Sequence, residues 1–316
     1  MTRLKGNLVS TSIPWSPRRL FIAAMLAAVS VGPAYAGETQ GLLAEGTRWQ
    51  TPYYVIDSNK PGPTVMIVGG VHGNEVAGAK AAEIIRHWVI VRGKLLVVPR
   101  ANAPALLADK RCDPNEPTET RDLNRNFPCK GGLYKPRGAA AEALWQLTER
   151  TKPDWLVDLH EGIDFRKTSK STGGSIIGTN SEEVVRIAKI MLDAVNATID
   201  NPKQKHVMLM GPARGSLARA AWERLQAKAI ILETCRKDPL DVRVRQHELM
   251  VHLLLTNLKM IDQPVPARPL RRNIPSDDST TNAPRALGWR PASIPPPAFV
   301  VCRSGHILLC ESEEFW

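Results

Sequence analysis

The sequence lacks the features that distinguish nucleic-acid-binding proteins. It has no block of like charge and no stretch in which basic and aromatic residues interleave, and aromatic residues make up only 5% of the chain. Without such a patch, the formal charge of +11 does not indicate a nucleic-acid partner, and we expect none. No internal repeat is visible. The hydrophobic content of 43% over 316 residues is sufficient for an ordinary globular core.

Long apolar segments are also scarce, because only the run LFIAAMLAAVSVG at 20–32 approaches the length of a membrane span. It has roughly 13 residues, whereas a spanning helix needs roughly 20. Arg18 and Arg19 precede it, and the small-residue motif AYA at 34–36 follows. We therefore predict a signal peptide at 1–36, with an N-terminal anchor as the alternative. The mature protein is expected in the periplasm or secreted, without stable membrane insertion.

Five cysteines in an exported protein predict two disulfides and one free thiol. Cys112 and Cys129 bracket one loop, and Cys302 and Cys310 bracket another. We expect these two local pairs, which leaves Cys235 free.

Apolar runs alternate with helical patterns along the middle of the chain. The runs typical of strands lie at 53–57, 64–70, 94–100, 155–160, 175–179 and 229–234, and the helical patterns lie at 76–91, 138–150, 181–196, 216–227 and 238–261. Several strands show no alternation, as expected when both sheet faces are covered. The pattern predicts a three-layer α/β domain at 37–262 with its active site at strand ends. Proline-rich, polar sequence predicts a largely disordered tail at 263–316, with a short ordered piece if Cys302 and Cys310 pair.

The turn GGVHGNE follows a buried strand and carries His72 and Glu75. It matches neither the dinucleotide-binding glycine pattern nor the phosphate-binding loop. Taken alone, Glu75 could simply favour the start of a helix. However, the strand WLVDLHEG places His160 at a second strand end. Two histidines and a glutamate can supply three ligands of a catalytic zinc and leave one position open.

Other polar residues at strand ends and in loops could complete such a site. Glu233 ends the strand AIILET and is the candidate base. The loop TRDLNRNFP offers Arg121, Asn124 and Arg125 to hold a carboxylate and an oxyanion. Asp122 and Asp158 are candidates to orient the histidines.

The motifs GGVHGNE, DLNRNFP, DLHEG and ILET, in this order, resemble those of the zinc carboxypeptidase superfamily, in particular its small succinylglutamate desuccinylase/aspartoacylase branch. The resemblance covers 69–234, most of the predicted domain. It implies a mixed, mostly parallel central sheet and one Zn²⁺ per chain.

The resemblance also assigns roles to individual residues. It implies zinc ligation by His72, Glu75 and His160, general-base catalysis by Glu233, and carboxylate binding by Asn124 and Arg125. Asp122 would support His72. Arg111 is preferred to Arg121 as the arginine that polarises the scissile carbonyl. A Cys112–Cys129 disulfide would clamp the loop that carries these cations. The other histidines, at 87, 206, 247, 252 and 306, have no ligand pattern.

The sequence departs from the large carboxypeptidases in having no tyrosine after Tyr134, so their specificity residues cannot be transferred. Three functions remain open. The first is a carboxypeptidase-type peptidase, with cell-wall peptides as candidate substrates. The second is a deacylase of N-acyl amino acids. The third is an inactive carboxylate-binding protein. Both enzyme readings require a substrate with a free carboxylate.

Overall fold

A computed structural model describes residues 37–262, which form an α/β fold around one central sheet. The predicted signal peptide, the 263–316 tail, the Cys302–Cys310 pair and His306 lie outside the described residues. The strands are β1 (Gly37–Leu43), β2 (Thr51–Asp57), β3 (Thr64–Gly69), β4 (Lys94–Val98), β5 (Trp155–Gly162), β6 (Ser175–Gly178), β7 (Val207–Met210) and β8 (Lys228–Cys235). The helices are α1 (Val76–Ile85), α2 (Ala103–Leu107), α3 (Ala139–Thr151), α4 (Glu182–Ala197), α5 (Leu217–Leu225) and α6 (Leu240–Asn257).

The sheet has eight strands in the order β1-β2-β4-β3-β5-β8-β6-β7. The four central strands β4, β3, β5 and β8 run parallel. On one side β2 is antiparallel to β4, and β1 is antiparallel to β2. On the other side β6 is antiparallel to β8 and parallel to β7. This arrangement confirms the predicted mixed sheet.

Helices cover both faces of the sheet and give it two hydrophobic cores. Ile67 and Val157 pack with buried residues of α1, α4 and α6, whereas Met66 and Leu156 pack with α3 and α5. Successive residues of a strand point to opposite faces. Because both faces are buried, β3 and β5 are apolar without alternation, as the sequence predicted.

The element boundaries differ from the prediction at several places. The helix predicted at 76–91 ends at Ile85, and the backbone N–H of Val91 instead donates to the carbonyl of Met260 at 2.7 Å. The outermost strands β1 and β7 and the short helix α2 were not predicted. Both strands lie at sheet edges and are largely exposed or half-buried, so their sequences lack the apolar runs that identify central strands.

Candidate active site

The metal-ligand candidates meet at the carboxyl ends of β3 and β5. His72 follows β3, Glu75 immediately precedes α1, and His160 lies near the end of β5. Since β3 and β5 are parallel neighbours, their ends share one edge of the sheet. His160 is 88 positions from His72 and 85 from Glu75 in the sequence, yet the three residues are adjacent in space.

Gly78 allows helix α1 to approach β5 closely. A Cβ atom at this position would lie only 2.5 Å from the carbonyl oxygen of Leu159. Any larger residue would push the helix away from the strand. The glycine therefore helps to bring Glu75, at the start of α1, beside His160.

The ligand atoms of these three side chains all lie within 4.8 Å of one another, and all three side chains are buried. Glu75 Oε1 lies 2.8 Å from His72 Nδ1, and Glu75 Oε2 lies 2.7 Å from His160 Nδ1. The two Nδ1 atoms are 3.2 Å apart. Within residues 37–262 this is the one group of three such side chains placed to hold a metal ion.

The donor set fits zinc in its chemistry. Zinc prefers imidazole nitrogen and carboxylate oxygen in four-coordinate sites. Bonds of about 2.0 Å in a tetrahedral site separate ligand atoms by roughly 3.3 Å. The two Nδ1 atoms lie 3.2 Å apart, close to that separation, whereas the Glu75 oxygens lie 2.8 and 2.7 Å from them, at hydrogen-bond distance.

The outer nitrogen of each histidine faces a carboxylate. His72 Nε2 lies 3.2 Å from Asp122 Oδ1, and His160 Nε2 lies 2.9 Å from Asp158 Oδ2. The Asp122 contact has hydrogen-bond geometry, whereas neither oxygen of Asp158 has a hydrogen-bond partner and its contact with His160 is an ion pair. Asp122 and Asp158, the acids expected to orient the histidines, therefore lie against His72 and His160, and both rings turn Nδ1 toward the shared centre.

The buried charges of this cluster stabilise one another. Burial opposes ionisation of Glu75, but His72 and His160 overcome it and hold the pKa of Glu75 well below its usual range. Burial likewise opposes protonation of His160, while Asp158 and Glu75 raise its pKa well above the usual value. These paired charges offset the cost of burying the cluster, and a bound metal ion would replace the proton on His160.

Glu233 lies beside the cluster on the neighbouring strand β8. It pairs in register with His160, so the two side chains project from the same face of the sheet. The Glu233 side chain is buried and accepts a hydrogen bond from the side chain of Thr172. Burial, with a contribution from Glu75, raises the pKa of Glu233 to about 7.

The loop motif DLNRNFP places Asn124 against His160. Asn124 Nδ2 lies 3.2 Å from His160 Nε2, and its Oδ1 accepts a hydrogen bond from the backbone N–H of Leu217 at 3.1 Å. Asn124 is buried, so its amide forms part of the wall of the site. Arg125 is exposed, and its Nη1 donates to the carbonyl oxygen of Asn124 at 2.7 Å.

The two candidate arginines occupy different places. Arg111 Nη1 donates to Glu75 Oε1 at 3.1 Å, and its Nη2 donates to Asp122 Oδ2 at 3.4 Å. Arg121 instead lines a small surface groove with Trp49. Arg111 is therefore the one that contacts the metal-ligand cluster.

The predicted Cys112–Cys129 disulfide is not formed, and this expectation is corrected. Both cysteines are free, as is Cys235. Hydrogen bonds hold the loop instead: Asn126 Nδ2 donates to the carbonyl oxygens of Thr120 and Asp122 at 3.0 and 2.9 Å. The loop therefore presents its arginines without a covalent clamp.

A buried acid that the sequence motifs did not single out directly follows His160. Glu161 is buried on the opposite face of the sheet and contacts Arg243 of α6. Its backbone N–H donates to Glu75 Oε2 at 3.1 Å. The signal was present in the sequence, since a charged residue inside an otherwise apolar strand needs a partner.

Comparison with known proteins identifies the family. Residues 61–259 match the succinylglutamate desuccinylase/aspartoacylase catalytic domain, and the chain belongs to this family. The resemblance noted in the sequence motifs is therefore confirmed. Within the described residues, no helix has the length and apolar composition required to cross a bilayer.

Relatives include an N-α-acetyl-L-2,4-diaminobutyric acid deacetylase of Halomonas elongata, which is 32% identical over 107 residues. That match covers 32% of this chain and 29% of the relative.

Two solved structures share the fold. Helicobacter pylori Csd4, a D,L-carboxypeptidase whose structure contains mDAP, gives a TM-score of 0.53 at 21% identity, covering 63% of this chain and 52% of Csd4. A succinylglutamate desuccinylase/aspartoacylase of Rhodobacter sphaeroides gives 0.50 at 20% identity, covering 75% and 70%. The chain thus spans about half the length of the carboxypeptidase and under a third of the deacetylase.

Proposed function

We propose that this protein is a zinc-dependent hydrolase that cleaves an amide bond next to a free carboxylate. The observation that carries the proposal is the buried His72–Glu75–His160 cluster with Glu233 in register beside His160. Family membership supports the same class of reaction. The cluster would hold one zinc ion per chain.

Each polar group around the cluster has a role in this proposal. Bound zinc would polarise the scissile carbonyl and make water more acidic. Glu233 accepts a proton from the attacking water and later delivers it to the leaving amine. Thr172 holds the Glu233 carboxylate through its hydrogen bond.

The exposed arginines at the site explain why the substrate would need a free carboxylate. Arg111 lies against Glu75 and is placed to stabilise negative charge on the carbonyl oxygen. Arg125 extends from the neighbouring loop and would pair with the substrate carboxylate, with Asn124 beside it. A substrate whose carboxylate is blocked would lose this anchor.

As the substrate class we propose N-acyl amino acids, because the family match and the Halomonas relative both support deacylation. The carboxypeptidase-type activity, with cell-wall peptides as candidate substrates, is the second candidate. We also propose export, on the basis of residues 1–36, with fractionation of cells as its test.

The test is a substrate panel on the purified, zinc-loaded protein. It contains N-acetyl and N-succinyl amino acids and short peptides, each with a free and an amidated carboxylate. Hydrolysis of free-acid N-acyl amino acids alone supports the deacylase, and hydrolysis of free-acid peptides alone favours the carboxypeptidase. Equal cleavage of free and amidated forms would reject the carboxylate requirement. Carboxylate binding without any hydrolysis would favour the inactive binding protein.

A further inference from the structure

Glu161 is a fully buried acid on the face of the sheet opposite His160. Its side chain is 0% exposed, and it lies among the elements α1, β5 and α6. Burying a carboxylate is costly unless charged and hydrogen-bonding partners compensate for the lost water. Its partners therefore show what this residue is positioned to do.

The two carboxylate oxygens of Glu161 have different partners. Oε1 pairs with Nη1 of Arg243, which is anchored in turn because its Nε donates to the carbonyl oxygen of Asp238 at 2.9 Å. Oε2 accepts a hydrogen bond from the backbone N–H of Ala77 at 3.0 Å. Glu161 thus connects α6 to the first turn of α1.

Helix α1 has no other cap for its first turn. Glu75 occupies the N-cap position, but its side chain makes no capping hydrogen bond because both its oxygens face His72 and His160. The first turn also contains no acidic residue. A helix start leaves backbone N–H groups unsatisfied and favours nearby negative charge. Glu161 supplies both the acceptor and the charge from the neighbouring strand.

We propose that Glu161, paired with Arg243, is a positioning residue for the metal ligand Glu75. It caps α1 in place of Glu75, so that the Glu75 carboxylate is free to face the histidines. The backbone N–H of Glu161 also donates to Glu75 Oε2 at 3.1 Å, which ties the ligand to the same residue. This inference rests on the proposed zinc site and extends it to the opposite face of the sheet.

The experiment measures zinc affinity by competition with a chromophoric chelator, together with urea unfolding of the metal-free protein. Glu161→Gln keeps an acceptor near Ala77 but loses the charge. Loss of outer partners of metal ligands typically weakens binding about 10- to 100-fold. Because the backbone N–H of Glu161 still donates to Glu75 Oε2 in this variant, we expect a loss of zinc affinity at the lower end of this range, about 10-fold. Arg243→Lys keeps the charge balance and should weaken binding less, while the variant remains folded.

Glu223→Gln is the matched control. Glu223 also pairs with an arginine, Arg219, and accepts from a backbone N–H, that of Lys130 at 2.6 Å, but it contacts none of the three ligands. It should change unfolding without changing zinc affinity. A Glu161→Gln protein that binds zinc within about twofold of wild type would overturn the inference.

If Glu161→Gln does not fold, the test rests on Arg243→Lys. Wild-type zinc affinity in Arg243→Lys would then overturn the inference. Absence of zinc binding in the wild type itself would instead reject the metal site, and with it the proposed function.

Discussion

The Nδ1 atoms of His72 and His160 face each other at 3.2 Å, while the Nε2 atom of each ring turns outward to an aspartate. Each Nδ1 also lies within 2.8 Å of a Glu75 oxygen, so the carboxylate and the two ring nitrogens share one small centre. Both rings therefore point toward one centre that, with Glu75 as the third group, could hold a metal ion.

Metal content gives the first prediction. Purified wild-type protein should contain about one zinc per chain, and His72→Ala and His160→Ala should contain none, since each variant lacks one of three ligands. Elemental mass spectrometry measures this. His87→Ala is the control, because His87 is exposed and should not affect zinc. A wild type that stays metal-free after incubation with zinc would contradict the proposed site.

The two aspartates behind the histidines should tune metal affinity. Asp122→Asn and Asp158→Asn remove the charge that orients His72 and His160, and we expect zinc to bind about 10- to 100-fold more weakly in each. Chelator competition measures the change. The buried Asp158 should also contribute more to stability than Asp122, which is partly exposed. Unchanged zinc affinity in both variants would exclude an orienting role.

Glu233→Gln should abolish most of the activity while zinc remains bound. General acid–base groups typically contribute about 10²- to 10⁴-fold to the rate, and we expect a loss of kcat in this range. Steady-state hydrolysis of the best substrate, with zinc content measured in the same sample, tests this. If hydrolysis is unchanged, Glu233 is not the base.

The two arginines should differ in their effects. Arg111→Met removes a guanidinium that contacts Glu75 and Asp122, so kcat/KM should fall by about 10²- to 10³-fold, as for loss of an oxyanion-stabilising donor. Arg121→Met should change it by less than about threefold. The reverse order would assign the role to Arg121.

The buried His247 should make the protein sensitive to acid. Burial, with repulsion from His206, His160 and Arg243, lowers the pKa of His247 to about 3. The unfolded chain takes up this proton below the ordinary value of about 6.5, whereas the folded chain does not. The contribution of His247 to stability is therefore present above that pH and is lost as the pH falls toward 3.

Urea unfolding of metal-free wild type and His247→Gln at pH 7 and pH 4.5 tests this dependence. Glutamine does not titrate, so the variant should lose less unfolding free energy between the two pH values. Equal losses would show that other groups dominate the acid sensitivity.

The sequence alone identified most of the strands and the residues that meet at the site. Strands buried on both faces must be continuously apolar, so a histidine or an acid at the end of such a run stands out. For this reason His72, Glu75, His160 and Glu233 could be chosen without coordinates. The edge strands β1 and β7 could not, because exposed strands carry no such signal.

Only the tertiary structure showed that Glu161 and Arg243 lie behind those residues. Arg243 and Glu161 lie 82 positions apart, and their contact depends on how α6 packs against β5. The free state of Cys112 and Cys129 and the burial of Asn124 likewise follow from how the 111–138 loop folds over the sheet. Residue chemistry at strand ends is encoded locally. Contacts between side chains that are distant in the sequence depend on how the helices, strands and loops pack, and no local sequence pattern predicts them.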